Sequence, residues 1–278
     1  MDVILKLLSE SLLSFYPAMT KFIKFPVINQ LWARLFIYSI ISFIFMNKNI
    51  AFQKMFSFIG ILLAIVTVFH VWTSYVGFKN LDAGVSYSIF YLYPILIILF
   101  SANPFKFYYL LPLIGVFFIT YPEWKINGKS DEKKNNFIIG IIAIFGSMIS
   151  EVWIYFIVKK IGINNKWNVL FISYFLPAIL VSSVLALKGK LIPQNIYQNA
   201  TNKYLILLLA GNAIIGALGY FLRFYTIYKL SSELYGVLSY FGIIMAYIYG
   251  WIINKEGLSW QKIIGSLIII LSSIFIRF

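Results

Sequence analysis

Apolar runs of roughly 18 or more residues recur from one end of this chain to the other, each long enough to cross a ~30 Å hydrocarbon core as a helix. The runs are continuously apolar and lack the period-two alternation of a transmembrane barrel, so an all-helical integral membrane protein is expected. Only 12% of the residues are charged and 61% are apolar, against about 25% charge in ordinary soluble domains. No polar stretch is long enough to make a soluble domain that could house an active site. No Gly-x-x-x-x-Gly-Lys loop is present either, so transport driven by nucleotide hydrolysis is not expected.

The chain has no cysteine, which excludes disulfides, thiolate metal sites and cysteine catalysis. Its single histidine, His70, cannot build a multi-histidine metal site, and no cofactor is expected. A net charge of +14 raises the question of nucleic acid. The lysines, however, are scattered at the ends of apolar runs, where such side chains snorkel to lipid headgroups, so lipid is the expected partner and nucleic acid is not. The N-terminal stretch lacks a basic segment and is interrupted by Glu10, so a cleavable signal is not expected.

Ten helices are expected: Val3 to Thr20, Val27 to Met46, Phe56 to Phe78, Ala83 to Ala102, Phe107 to Tyr121, Phe137 to Lys160, Trp167 to Leu187, Lys203 to Tyr228, Glu233 to Ile253 and Trp260 to Ile276. Asn47 to Lys54, the Asn103-Pro104 turn, Lys188 to Asn202 with Pro193, and Asn254 to Ser259 read as loops. The one strongly polar connector, residues 123–136, contains Asn127-Gly128 and Asp131-Glu132-Lys133-Lys134. It divides the chain into residues 1–122 and 137–278.

The two parts echo each other. Tyr75-Val76-Gly77-Phe78-Lys79 returns about 150 residues later as Tyr225-Thr226-Ile227-Tyr228-Lys229. Tyr91 and Tyr240 then mark the middles of the runs that follow. Such an echo in a membrane chain suggests a transporter made of two repeats. Five helices per repeat is an odd number, so the second repeat would insert upside down relative to the first. The distribution of lysines leans slightly toward an external N-terminus without deciding it.

The chain resembles the drug/metabolite transporter superfamily, specifically its ten-helix group with two EamA-like halves. Tyr220 to Leu230 is similar to that family's eighth helix, Leu238-Ser239-Tyr240 to its ninth, and Glu256-Gly257-Leu258-Ser259 followed by Gly265 to the entry of its tenth. Lys21, Arg34 and Pro94 stand where the family tends to have them. One departure is Ile243, where the family often has proline, and it puts a proline hinge there in doubt. The resemblance implies a ten-helix fold in the cell (inner) membrane and a transport role. It implies no substrate, because members are similar to carriers of amino acids, nucleotide sugars, vitamins and other metabolites.

Read without the resemblance, polar residues inside the helices form stripes at steps of three or four, which keep them on one face. Glu10, Ser14 and Pro17 form one stripe, Gln30, Arg34, Tyr38 and Ser42 a second, and Thr67, His70, Ser74 and Gly77 a third. Ser147, Glu151 and Tyr155 make another, as do Asn212, Gly216, Gly219 and Arg223. Polar faces should turn away from lipid, toward each other or a cavity. An ionisable group inside a span costs about 2.5–3.5 kcal/mol on insertion scales, so Glu10, Arg34, His70 and Glu151 are the sharpest candidates for substrate contact or proton coupling. Tyr87, Tyr91, Trp153, Tyr155 and Tyr240 could line an aromatic cavity, with Tyr91, Tyr155 and Tyr240 the selected members.

Each candidate has a plainer role beside it. Arg34 could pair with Glu10 or Glu151, Glu10 could sit near the interface, and His70 could be a hydrogen-bonded core residue. Arg223 reads as a snorkelling cation, Asp82 and Glu233 as helix caps, and Glu256 as a structural loop residue. The fifth and tenth helices, without interior charges, read as peripheral or homodimer-forming.

The expectation is therefore a secondary transporter of a small polar metabolite, most simply an amino acid or a related compound. It would work by alternating access, with protons as a candidate coupling ion. A carrier of nucleotides, nucleotide sugars or S-adenosylmethionine is the main rival. An integral-membrane enzyme would need clustered acids or histidines near one membrane face, and the sequence has no such cluster.

Overall fold

The protein is described from a computed structural model covering residues 1–101, 110–125, 131–187, 196 and 202–277. The Asn103-Pro104 turn, the start of the expected fifth helix, the Asn127-Gly128 part of the connector and the Pro193 loop lie outside these residues. Every regular element among the described residues is a helix. In chain order they are α1 (Asp2–Leu13), α2 (Phe15–Phe22), α3 (Val27–Phe45), α4 (Lys48–Met55), α5 (Phe58–Asn80), α6 (Ala83–Phe90), α7 (Tyr93–Phe100), α8 (Leu111–Lys125) and α9 (Asp131–Ile161). They continue with α10 (Lys166–Leu187), α11 (Lys203–Lys229), α12 (Ser232–Ser239), α13 (Phe241–Asn254) and α14 (Trp260–Arg277). Among the described residues, seven stretches are long and apolar enough to cross a membrane: α3, α5, α6 with α7, α9, α10, α11, and α12 with α13.

Local chemistry corrects several expectations. Asn47 to Lys54 is mostly helix, not loop: the Asn47 side chain accepts from the Ile50 N–H and caps α4, which buries Ala51 and Met55 on one face. The polar connector is largely absorbed into helix as well, since α8 runs to Lys125 and α9 starts at Asp131. Three expected continuous helices are broken in mid-course. The first breaks at Ser14, three residues before Pro17, whose missing N–H frees the Leu13 carbonyl for the Tyr87 hydroxyl. The fourth breaks at Tyr91-Leu92, and Pro94 then sits in the first turn of α7, where an absent N–H costs nothing. The ninth breaks at Tyr240 although Ile243 replaces the expected proline. There the backbone tightens to i→i−3 bonds, from Tyr240 N to Val237 O and from Ile243 N to Tyr240 O.

The breaks meet one another. The Ser14 hydroxyl lies 2.9 Å from the Gly242 carbonyl, and the Tyr91 hydroxyl fills the space a Cβ on Gly242 would need.

Packing crosses the chain's midpoint everywhere. The pair α1 and α11 packs closely, and so do α5 and α9, α3 and α10, α6 and α13, α7 and α12, and α8 and α14. In the last pair, a Cβ on Gly115 would meet the Gly265 carbonyl and Ile269, and a Cβ on Gly265 would meet the Gly115 carbonyl and Ile119. The two helices therefore touch backbone to backbone and run antiparallel, with apolar outer faces at Ile114, Phe117 and Leu267 left exposed.

Candidate functional site

Where the three breaks converge, the core is ionic. Arg223 on α11, expected at a helix end reaching for headgroups, is instead buried in the centre. It can sit there because Gly219, one turn earlier, lets α11 press against Leu12 and Leu13 of α1. Its guanidinium forks between two acids, donating to Glu151 Oε1 at 2.9 Å and Glu10 Oε2 at 2.8 Å. It also lies 3.2 Å from the Tyr91 hydroxyl, which itself donates to Glu10. Glu10 takes a further bond from Lys6, one helical turn before it, and the Lys6 ammonium rests 3.4 Å from the centre of the Tyr235 ring. Glu10 is fully buried, so it is not the solvated group its plainer role required.

His70 joins the network from α5. Its Nδ1 lies 3.2 Å from both the Ser147 carbonyl and the Ser150 hydroxyl; with the proton on Nδ1 it donates to the carbonyl, which can only accept. Nε2 lies 2.8 Å from the Tyr220 hydroxyl and 3.4 Å from Glu151 Oε2. A neutral imidazole accepts from Tyr220 there, and a charged one can donate to Glu151. The ring thus has two stable partners for two protonation states.

Arg34 does not pair with Glu10 or Glu151. Among the described residues it has no carboxylate within ion-pair distance. It sits instead among the rings of Tyr16, Tyr38, Tyr75, Tyr174 and Tyr220, at 4.6 to 5.8 Å from their centres. Tyr16, Arg34 and Tyr220 of this cage and His70 and Arg223 of the ionic network line one small cavity of about 10 Å³, which also touches Ser74, Phe78, Tyr87 and Phe90.

The remaining candidates stand further off. Tyr155 hydrogen-bonds Ser232 at 2.9 Å and packs on Tyr235, and Tyr240 occupies the break before α13. Trp153 points outward and is 58% exposed.

At one end of the bundle a second ionic cluster ties four segments together. Lys21 lies 3.3 Å from Asp82 and 3.0 Å from Glu256, and Lys262 lies 2.7 Å from Asp82. Asp82 was expected to cap α6, but Glu256 takes that role and accepts from the Ala83 N–H at 2.7 Å. Glu256 is aimed there by Lys255, whose left-handed backbone (φ +58°) ends α13 and folds the chain back over Gly250.

The EamA-like transporter family model matches residues 138–278. The chain belongs to the EamA-like transporter family, part of the drug/metabolite transporter superfamily. No curated protein matches it. Among the solved structures it is similar to is a protein crystal structure at 12% sequence identity over 98% of this chain and 96% of its own, with a TM-score of 0.61. At that identity the likeness speaks to fold alone. Membership makes the protein a multi-pass membrane transporter.

Within this EamA-like transporter the residues that sequence reasoning passed over are Lys6, Arg223 and the tyrosine cage. Lys6 had a signal in its i, i+4 spacing to Glu10. Arg223 had one in the small-residue face it shares with Gly216 and Gly219. The cage had one only in the i, i+4 spacing of Arg34 and Tyr38 on α3, because its other four tyrosines come from α2, α5, α10 and α11.

Proposed function

We propose that the protein is a secondary transporter of a small polar metabolite, most simply an amino acid or related compound. It sits in the cell (inner) membrane and works by alternating access between two inverted five-helix repeats, residues 1–122 and 137–278, on either side of the connector at 123–136. The observation that carries this reading is the ionic network. Glu10 and Tyr91 come from the first repeat, Glu151 and Arg223 from the second, and they meet where three helices break. Broken helices around a central polar site are how such transporters expose backbone and charge inside a bilayer.

Contacts between corresponding residues support the inverted arrangement. His70 and Tyr220 are 150 positions apart and hydrogen-bond each other. Gly115 and Gly265, with the same separation, touch across an antiparallel pair. A two-fold axis perpendicular to the helices brings equivalent positions together in this way, whereas an axis along the membrane normal would make the paired helices parallel.

Protons are the proposed coupling ion, moving through His70 and Glu151. Uptake of labelled amino acids into proteoliposomes, with and without an imposed pH gradient, tests both statements. Glu151→Gln should abolish gradient-driven uptake while the protein stays monodisperse in detergent. Gradient-driven uptake at the wild-type rate in that variant would remove Glu151 from the coupling path.

A further inference from the structure

Among the described residues, Arg34 is the one central charge without an acid. Around the core, among the described residues, Lys6, Arg34 and Arg223 are buried with only Glu10 and Glu151 to balance them. Glu10 is held by Lys6 and Arg223, and Glu151 by Arg223, with its Oε2 lacking a hydrogen-bond partner 3.4 Å from His70 Nε2. Arg34 bonds the Tyr174 hydroxyl at 3.0 Å and also engages the Tyr75 hydroxyl, while its buried Nε has no hydrogen-bond partner. A guanidinium has five donors, and a buried charge left short of partners is costly. The hydroxyls around it are also incompletely used. Tyr16 and Tyr38 bond each other at 2.7 Å, which consumes one of their two protons and leaves the other to donate. Both hydroxyls reach over Gly216, where any Cβ would displace them.

We propose that Arg34 and its tyrosine cage form the recognition site for the carboxylate of an organic monoanion with a flat apolar body. The assignment rests on the transport reading above and narrows its substrate class. The carboxylate would take the unused Arg34 and tyrosine donors as charge-assisted hydrogen bonds, and the body would lie against aromatic faces. One excess cation matches one negative charge, so a phosphate dianion is disfavoured. A free ammonium group is less favoured, because Glu10 has both oxygens bonded and Arg223 already neutralises Glu151, of which Oε2 alone lacks a hydrogen-bond partner. Aromatic carboxylates therefore fit better than the corresponding amino acids, and amines fit worst. The small cavity, about 10 Å³, holds about one water, so the ligand enters when the helices part. The cage draws side chains from five helices of both repeats, and closing it around an anion would pull those helices together.

Three probes with one aromatic body separate the possibilities: 3-phenylpropionate, L-phenylalanine and phenethylamine, titrated calorimetrically into the detergent-purified protein. 3-Phenylpropionate should bind at least tenfold tighter than phenethylamine, with phenylalanine between them. Arg34→Gln should weaken 3-phenylpropionate at least tenfold, and Arg34→Lys, which keeps the charge, should recover part of the loss. Should either Arg34 variant fail to fold, Tyr174→Phe provides the same reading by removing the bond that orients the guanidinium. Equal affinities for the three probes, preference for the amine, no binding of 3-phenylpropionate at 10 mM as an order-of-magnitude ceiling for weak ligands, or wild-type binding in the variants would each overturn the assignment. Phenylalanine flux in proteoliposomes without 3-phenylpropionate binding would sink the anion site and leave transport standing. Binding without flux of any probe would do the reverse.

Discussion

At the residue scale, the core depends on Arg223 more than on any acid it holds. One guanidinium neutralises Glu10 and Glu151 and hydrogen-bonds Tyr91, so removing it leaves two carboxylates sharing Lys6 and His70 in a low-dielectric interior. Breaking a buried ion pair by deleting one partner costs about 3–5 kcal/mol. Arg223→Gln is therefore expected to lower the thermal midpoint sharply in detergent. Tyr220→Phe removes a single hydrogen bond to His70 and should cost about 1 kcal/mol. If the two variants melt alike, Arg223 is not the keystone described here. Arg34 behaves differently, because its surroundings are rings and hydroxyls, and its loss should register in ligand binding more than in melting.

At the element scale, glycine and broken backbone decide how closely helices approach. Gly115 and Gly265 bring α8 and α14 into backbone contact, and a Cβ on Gly115 would lie 2.5 Å from the Gly265 carbonyl oxygen. Backbone cannot swing away as a side chain can, so Gly115→Val is expected to cost about 1–3 kcal/mol as overpacking, read from the thermal midpoint. Gly242→Ala tests a different property. Its Cβ would displace the Tyr91 hydroxyl and so pull Tyr91 off Glu10. Transport should fall several-fold while the melting temperature moves little. A variant that melts early and transports normally would show the break at Tyr240 to be a packing feature only.

At the scale of the whole molecule, ionic contacts tie four segments together at one end of the bundle. That end is latched by Lys21, Asp82, Glu256 and Lys262. Burial pushes the Asp82 carboxyl up, but Lys21 and Lys262 outweigh it and hold it below the usual carboxylate range. Its folded pKa is depressed, so the contribution to the closed latch is present above the unfolded value of about 4 and is lost as pH falls through the folded pKa. Closure of this end should therefore be independent of pH between about 5 and 8 and weaken only below about 4. Asp82→Asn should open it at every pH. The chain has no cysteine, so a single Ser14→Cys replacement reports opening through maleimide labelling without background. Labelling that rises between pH 8 and 5 would assign the latch to another group.

Length and hydropathy alone determined that the chain spans a membrane as helices, because backbone polar groups in lipid must be satisfied within each segment. Stripes at steps of three and four also pointed Glu10, His70 and Glu151 inward, since local periodicity is written in consecutive residues. The 150-residue echo marked Tyr91 and Tyr240 before their helix breaks were visible. What the sequence left undecided was which cation would serve which acid. Arg34 and Arg223 lie on similar polar stripes, and the sequence offered Arg34 as the partner of Glu10 or Glu151 and Arg223 as a snorkelling cation, whereas the packing of α11 against α1 carried Arg223 between the two acids. Only that packing left Arg34 among tyrosines from five separate helices. Pairing of buried charges is a long-range choice, set by which helix faces meet, and no window of consecutive residues contains it.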